Sequence, residues 1–345
     1  MAVVKIFPEK DTFITSEVPT ANAGKDEILE IGRYDSISGQ SSISRMLVKY
    51  STEEISETLS GISEYSASLK FYLADAYEVP TELRIESYLI SGAWDNGTGK
   101  YGDIPLNTTG VSWKYKKAGE QQAWSNEGGD FYNTPTASQF FELNNKYDID
   151  INVTEQLSDI LDSTVPNEGF LIKLTGSLEL NTSSSVRLKY FGADTNTIYP
   201  PSLELKWDDS TYNTGSLTVL NTSQPKIEIT NNKGKYIGEG KQRFRVAAKP
   251  KYPVRTFTTS SVYLTNYALP QNTYWGIKDE YTEEMVIDFD TQFTKVSCDS
   301  TGPFFDVYMN GLQPERFYRV LIKTELDGST VIVDNNNVIK VTRNG

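Results

Sequence analysis

Apolar and polar residues alternate along most of this chain, which is the period of a strand with one buried face. Segments 68–73, 82–89, 186–191 and 202–207 alternate cleanly, and 169–174 is a near-continuous apolar run of the kind found in a sandwich core. The first fourteen residues, MAVVKIFPEKDTFI, alternate from the start and lack the charged, apolar and small-residue regions of an export signal. The expectation is a chain that folds in the compartment where it is made.

Two short helices interrupt the strands. Ser51 and Glu54 have capping-box spacing, and Ile55, Leu59 and Ile62 follow at helical intervals. Thr154 is placed to cap a second helix whose stripe is Leu157, Ile160 and Leu161. Each reads as a helical turn covering the open edge of a β-sandwich. Residues 92–136 are rich in Gly, Asn, Thr and aromatics and read as elaborated loops. Residues 208–216 have no apolar period and read as a linker. Strand signals then resume at 217–220, 226–230, 242–248, 261–264, 284–290, 305–309, 316–324, 330–334 and 338–342, with turns at Pro314-Glu315 and Asp327-Gly328. No internal repeat has a firm period. The predicted fold is all-β: residues 1–207 form a jelly-roll-like sandwich with two short helices, and 217–345 an Ig-like sandwich.

Length and composition support this division. At 345 residues the chain is long enough for two or three domains, and at 38% hydrophobic and 12% aromatic it can build a core in each. No stretch approaches the roughly 18 apolar residues that span a bilayer, so no membrane span is expected. The formal charge of −13 disfavours nucleic acid as a partner of the whole surface. The lone Cys298 excludes an intrachain disulfide and reads as a small buried thiol. Histidine is absent, which removes Ser-His-Asp and Cys-His nucleophiles and imidazole-bound metals. No catalytic residue, metal ligand set or cofactor is therefore assigned. Carboxylates are plentiful, but no pair stands out as that of a glycosidase. A polysaccharide lyase or hydrolase is the least favoured reading. The acidic run Asp279, Glu280, Glu283 and Glu284 reads as a solvated turn.

The order of signals over 6–207 resembles the DNRLRE-type β-sandwich module, a relative of carbohydrate-binding jelly rolls. The resemblance rests on Asp11-Thr12-Phe13-Ile14, the turn Pro19-Thr20-Ala21-Asn22-Ala23-Gly24, and Ile28-Leu29-Glu30-Ile31-Gly32. It continues through Ser44-Arg45-Met46-Leu47-Val48-Lys49-Tyr50, Ala67 to Leu73, and the tryptophans Trp94 and Trp113 around a loop. Ile151-Asn152-Val153-Thr154, Asn167-Glu168-Gly169-Phe170 and Pro200-Pro201-Ser202-Leu203-Glu204-Leu205 complete it. A different likeness covers the last 60 or so residues. Residues 304–323 (FFDVYMNGLQPERFYRVLIK) and 334–341 (DNNNVIKV) resemble the terminal β-domain of structural proteins from tailed, crAss-like bacteriophages.

Four groupings carry possible chemistry. Trp94, Trp113, Tyr115 and Trp124 would form a glycan platform if their rings were exposed, because a pyranose stacks its apolar face on an aromatic ring; under long loops the same rings are core. Asp95-Asn96-Gly97-Thr98-Gly99 with Asp103 offers oxygen ligands, too few alone for calcium, and also reads as a polar turn. GKYIGEGK at 234–241 lacks the spacing of a phosphate loop and reads as a glycine-rich hairpin. Residues 226–255 hold nine basic side chains against Glu228 and Glu239, a charge of +7 on a chain whose remainder is −20. Lys241, Arg243, Arg245, Lys249, Lys251 and Arg255 are its candidate docking residues; the plainer alternative is a solvated strand face.

Two functions compete. The first is a non-enzymatic virion structural protein of a tailed phage, a neck or tail component assembled in the host cytoplasm. Its partners would be portal, neck or tail subunits and further copies of itself, reached through the basic strand and the 92–136 loops. The second is a carbohydrate-binding protein that recognises a host or extracellular polysaccharide.

Overall fold

The computed structural model describes residues 2–35, 39, 41–142, 146–183, 185–253 and 265–343. Strands account for 46% of the chain and helices for 8%, so the protein is an all-β sandwich fold. The chain divides into two compact units, residues 6–204 and residues 1–5 with 205–345. It passes from one unit to the other within its first strand and within its fourteenth.

The first unit lies between the first strand and the fourteenth, both of which it shares with the second unit. The chain opens with β1 (Ala2–Ile6), β2 (Lys10–Thr15), β3 (Ile28–Asp35) and β4 (Ser41–Lys49), then α1 (Thr52–Thr58). Next come β5 (Ser66–Phe71), β6 (Leu73–Tyr77), β7 (Leu83–Ile90), β8 (Tyr115–Lys117), β9 (Gln122–Ala123), β10 (Phe131–Phe141) and β11 (Ile149–Asn152). It ends with α2 (Thr154–Leu161), β12 (Phe170–Leu174), α3 (Gly176–Glu179), β13 (Val186–Phe191) and β14 (Ser202–Trp207). One sheet runs β10-β7-β12-β4-β3-β13-β6, with β2 also on β4; a second has the order β1-β14-β5-β11, and β8 pairs with β9 in a two-stranded ribbon.

The alternation read in the sequence sets these faces. In β13, Val186, Leu188 and Tyr190 are buried while Arg187 and Lys189 are half-exposed. β12 lies inside the sheet between β7 and β4, and all five of its residues are buried, which explains its near-continuous apolar run, interrupted only by Lys173. Ser51 caps α1 as its spacing predicts, its hydroxyl accepting the Glu54 N–H at 3.3 Å. The second cap differs from expectation. Thr154 is the first helical residue, and Asn152 Oδ1 accepts both its N–H (3.0 Å) and its hydroxyl (2.8 Å). The Thr154 Oγ1 in turn accepts the N–H of Ala67, so this side chain ties the helix to β5.

The second unit continues with β15 (Pro225–Ile229), β16 (Lys235–Ile237), β17 (Lys241–Pro250), β18 (Tyr274–Asp279) and β19 (Met285–Ile287). β20 (Ser297–Asp299), β21 (Gly302–Tyr308), β22 (Phe317–Leu326) and β23 (Ser329–Thr342) complete it. They form sheets β15-β17-β21-β20 and β16-β23-β22-β18-β19. The core centres on three near-parallel rings: Phe305 stacks on Phe244 (centroids 5.4 Å, 20°) and on Trp275 (5.4 Å, 17°).

Two local readings change, and a third is not covered. The glycine-rich 234–241 segment is not a hairpin: β16 pairs in parallel with the end of β23, Lys235 opposite Lys340. The 208–216 stretch lacks periodicity because it joins the second unit residue by residue. Cys298 N–H bonds to Thr211 O (2.8 Å), Asn213 N–H to Cys298 O (2.9 Å), and the Tyr212 hydroxyl to Leu269 O (2.7 Å). The strand signal at 261–264 lies outside the described residues.

Candidate functional site

The basic strand β17 shows how its own sequence divides it. Phe244, Val246 and Ala248 are buried, and the alternate residues Lys241, Arg243 and Arg245 share the outward face. In register they stand opposite Tyr308, Asp306 and Phe304 of β21. Cations and aromatic or acidic side chains therefore alternate across two neighbouring strands.

The contacts are close. Arg243 grips Asp306 with two bonds, Nε to Oδ1 at 2.8 Å and Nη2 to Oδ2 at 2.9 Å. Lys241 Nζ lies 3.1 Å from Asp306 and 3.3 Å from Asp209. Arg245 reaches Asp299, with Nη1 to Oδ1 and Nη2 to Oδ2 both at 2.7 Å. Both guanidinium groups also lie over the Phe304 ring, at 4.1 and 4.9 Å from its centroid, and Lys241 lies 5.3 Å from that of Tyr308. The Arg245 hydrogen bond pulls the Asp299 carboxyl down to about 2. Burial would raise Asp306, but hydrogen bonds from Arg243 and Lys241 hold it below its ordinary value.

This corrects the picture of a bare positive stripe. Three of its charges are matched by carboxylates brought in from β20, β21 and 208–216, which a count along the chain does not see. The face remains accessible all the same, since the Arg243 side chain is 49% exposed. Lys249 pairs in register with Lys226 at the far end of the strand, and Lys226 meets Glu228 at 3.0 Å. Lys251 follows the strand, its Nζ 5.6 Å from the centroid of the exposed Tyr252 ring. Arg255 lies outside the described residues.

The aromatic platform does not form. Trp94, Trp113 and Trp124 are 1%, 7% and 4% exposed and pack with Ile14, Leu47, Ile90, Val111 and Leu171 into a second core under the long loops. Their polar edges are used internally: Trp94 Nε1 donates to Glu168 O and Trp124 Nε1 to Ser112 O, both at 2.9 Å. Tyr115 is half-buried at the start of β8, with Lys114 5.4 Å from its ring centroid.

A buried ion cluster lies beside these rings. Arg45 grips Glu179 through Nε and Nη2, both at 2.8 Å, and donates to Gly128 O at 2.8 Å. Lys173 reaches the same carboxylate at 3.0 Å. The 128–131 turn, β12 and α3 are held together by one negative and two positive charges. Arg45 and Lys173 both fall in strand segments legible in the sequence, but nothing there marks them or Glu179 as an ion cluster.

The 95–99 turn is a structural joint. Gly97 has φ +79°, and a Cβ there would lie 2.3 Å from Asn22 Oδ1. Among the described residues no group of three or more His, Cys, Asp or Glu is arranged to hold a metal ion. The acidic run at 279–284 is also not simply solvated. Asp279 is fully buried, bonded to Arg316 Nε at 3.0 Å and to the N–H groups of Tyr281 and Thr282. Glu280 is held by Arg319, which also reaches Asp334 at 3.1 Å.

No protein-family profile matches the chain, and neither does any curated protein. Among solved structures it is matched to one titled the apo structure of Bacteroides uniformis beta-glucuronidase 3. That match has 10% identity and a TM-score of 0.18, covering 90% of this chain and 27% of the other. The chain thus spans about a quarter of that protein's length, and a likeness this slight carries no argument about fold or activity.

Proposed function

We propose that this chain is a non-enzymatic structural protein of a tailed-bacteriophage virion. It is a neck or tail component that forms homo-oligomers and docks to neighbouring subunits during assembly in the host cytoplasm. The observation that carries this reading is the division of charge between the units. Residues 6–204 hold 15 basic and 30 acidic side chains, a net −15, while residues 1–5 with 205–345 hold 18 and 16, a net +2. The second unit also offers the accessible Arg243 and Arg245 face. Complementary patches on one chain favour head-to-tail contact between copies, and repetition in a closed ring multiplies a weak contact. The residues that resemble phage structural proteins lie mainly in β21, β22 and β23, the central strands of this unit. Burial of the three tryptophans removes the platform on which a carbohydrate-binding role rested.

Native mass spectrometry of the full chain tests this reading. A discrete oligomer that dissociates as salt rises, and is lost in Arg243→Glu, supports it. A chain that stays monomeric at its highest soluble concentration overturns the docking, and measured cleavage of a polysaccharide overturns the non-enzymatic role.

A further inference from the structure

The most exposed large apolar side chain among the described residues is Ile104, at 98%; Pro105 beside it is exposed and Leu106 is 40% exposed. Isolated apolar residues on a surface need no explanation. Three in a row at the tip of a loop whose base is held firmly are different, because the fold maintains their exposure.

The base is held by Asn22, which is fully buried. Its Nδ2 donates to Asn96 O and Val111 O, both at 2.8 Å, and its Oδ1 accepts the Gly99 N–H at 2.8 Å. Its own N–H donates to Asn107 O at 3.0 Å. Tyr101 adds a strut, its ring 5.5 Å from Phe13 and its hydroxyl donating to Glu17 at 2.8 Å. Nearer the tip, Asp103 accepts the Lys100 N–H at 2.8 Å and closes a tight turn. A projecting element with a fixed base loses little entropy on docking.

The loop's surroundings indicate what it meets. Asp26 accepts the Tyr101 N–H at 3.1 Å, Glu27 pairs with Lys100 at 2.8 Å and Asp103 stands nearer the tip, in a unit of charge −15, so an anionic membrane surface is disfavoured. The fitting surface is apolar at its centre and basic at its edge. The far end of β17 has this character: Tyr252 is 72% exposed, with Lys251 against its ring and Lys249 three residues before it. We propose that the Ile104-Pro105-Leu106 tip of one copy docks against Tyr252 and the basic end of β17 on a second copy. This inference rests on the docking reading above and names the element that reaches across.

The test places the photo-reactive residue benzoylphenylalanine at 104 in the full chain and irradiates the oligomer. A covalent dimer whose cross-linked peptide contains Tyr252 is expected, with its yield reduced several-fold by Lys251→Glu. Ile104→Asp should weaken the oligomer while leaving the circular dichroism spectrum of the folded chain unchanged. If the oligomer forms but the cross-link maps to another segment or stays within one chain, the tip assignment fails and head-to-tail docking stands. If the unmodified chain forms no oligomer, the docking reading itself fails.

Discussion

Both units bury a carboxylate held by arginine, Glu179 in the first and Asp279 in the second, but they differ in where other pairs lie. In the first, Glu179 lies between Arg45 and Lys173 beneath the loops, and Asp11 is 5% exposed. The second keeps three of its clearest ion pairs on an outward sheet face, where Arg243 and Arg245 lie over Phe304. Long loops explain the difference. Residues 92–130 make few strand ladders, so buried ions and the tryptophan core hold them down. The second unit instead rests on a stacked aromatic core. Removing one core ring should therefore cost the second unit most, and removing one buried charge should cost the first.

The largest effect is expected from Phe305→Ala. Phe305 stacks on both Phe244 and Trp275, and deleting a buried ring of this kind costs about 3–5 kcal/mol. Urea unfolding followed by near-ultraviolet circular dichroism measures it, and a loss under about 1 kcal/mol would show that the stack is not the core's anchor. Glu179→Ala comes next. It leaves Arg45 and Lys173 buried without their carboxylate, at a cost of about 3–4 kcal/mol. Proteolysis within 125–131 should appear in this variant first, since Arg45 also holds Gly128 O. If the loop stays protected, the ion cluster is not its clamp.

The contrast also marks what was legible in the sequence. Alternation gave β5, β13 and β17 their faces, and Ser51 with Glu54 gave α1 its cap, because those signals are local. The strand β18 was not legible, because Gly276 breaks its pattern. A Cβ there would lie 3.2 Å from the backbone oxygen of Ile287 in β19, so glycine eases the approach of the two strands. The candidate site was half legible. Lys241, Arg243 and Arg245 do share a face, but their partners Asp306 and Asp299 lie 63 and 54 residues from Arg243 and Arg245. Composition could not decide whether the tryptophans were exposed, because a ring that stacks on sugar and one that fills a loop core read alike. Asn22 looked like an ordinary turn residue.

pH sharpens the comparison, because the two units move a carboxyl in opposite directions. Burial pushes Asp11 up to about 6, against the lowering effect of the Ala193 N–H. Its proton is held more tightly in the native state than in the unfolded chain. Below about pH 4 both states are protonated and this contribution is complete. As pH rises through about 6 the native carboxyl ionises in place, and on the order of 2–3 kcal/mol is lost. Stability of the natural chain minus that of Asp11→Asn should fall between pH 4 and 7; a flat difference would remove Asp11 as the cause. Asp299 has the reverse sign: its Arg245 pair is intact at neutral pH and is lost only as pH falls toward about 2.

The smallest effect belongs to that outward pair. Arg245→Ala removes two 2.7 Å contacts and one guanidinium from Phe304, but Asp299 is 36% exposed and water replaces what it loses. Exposed pairs are worth about 1 kcal/mol or less, so the isolated chain should unfold at nearly its usual urea concentration. The same change should weaken association between copies far more than it weakens the fold, because desolvated arginine and aromatic groups dominate binding contacts. Arg245→Ala therefore separates the two roles of the face in one protein. Comparable losses in urea midpoint and in oligomer affinity would mean that the outward pairs serve the fold of the second unit, as the buried ones serve the first.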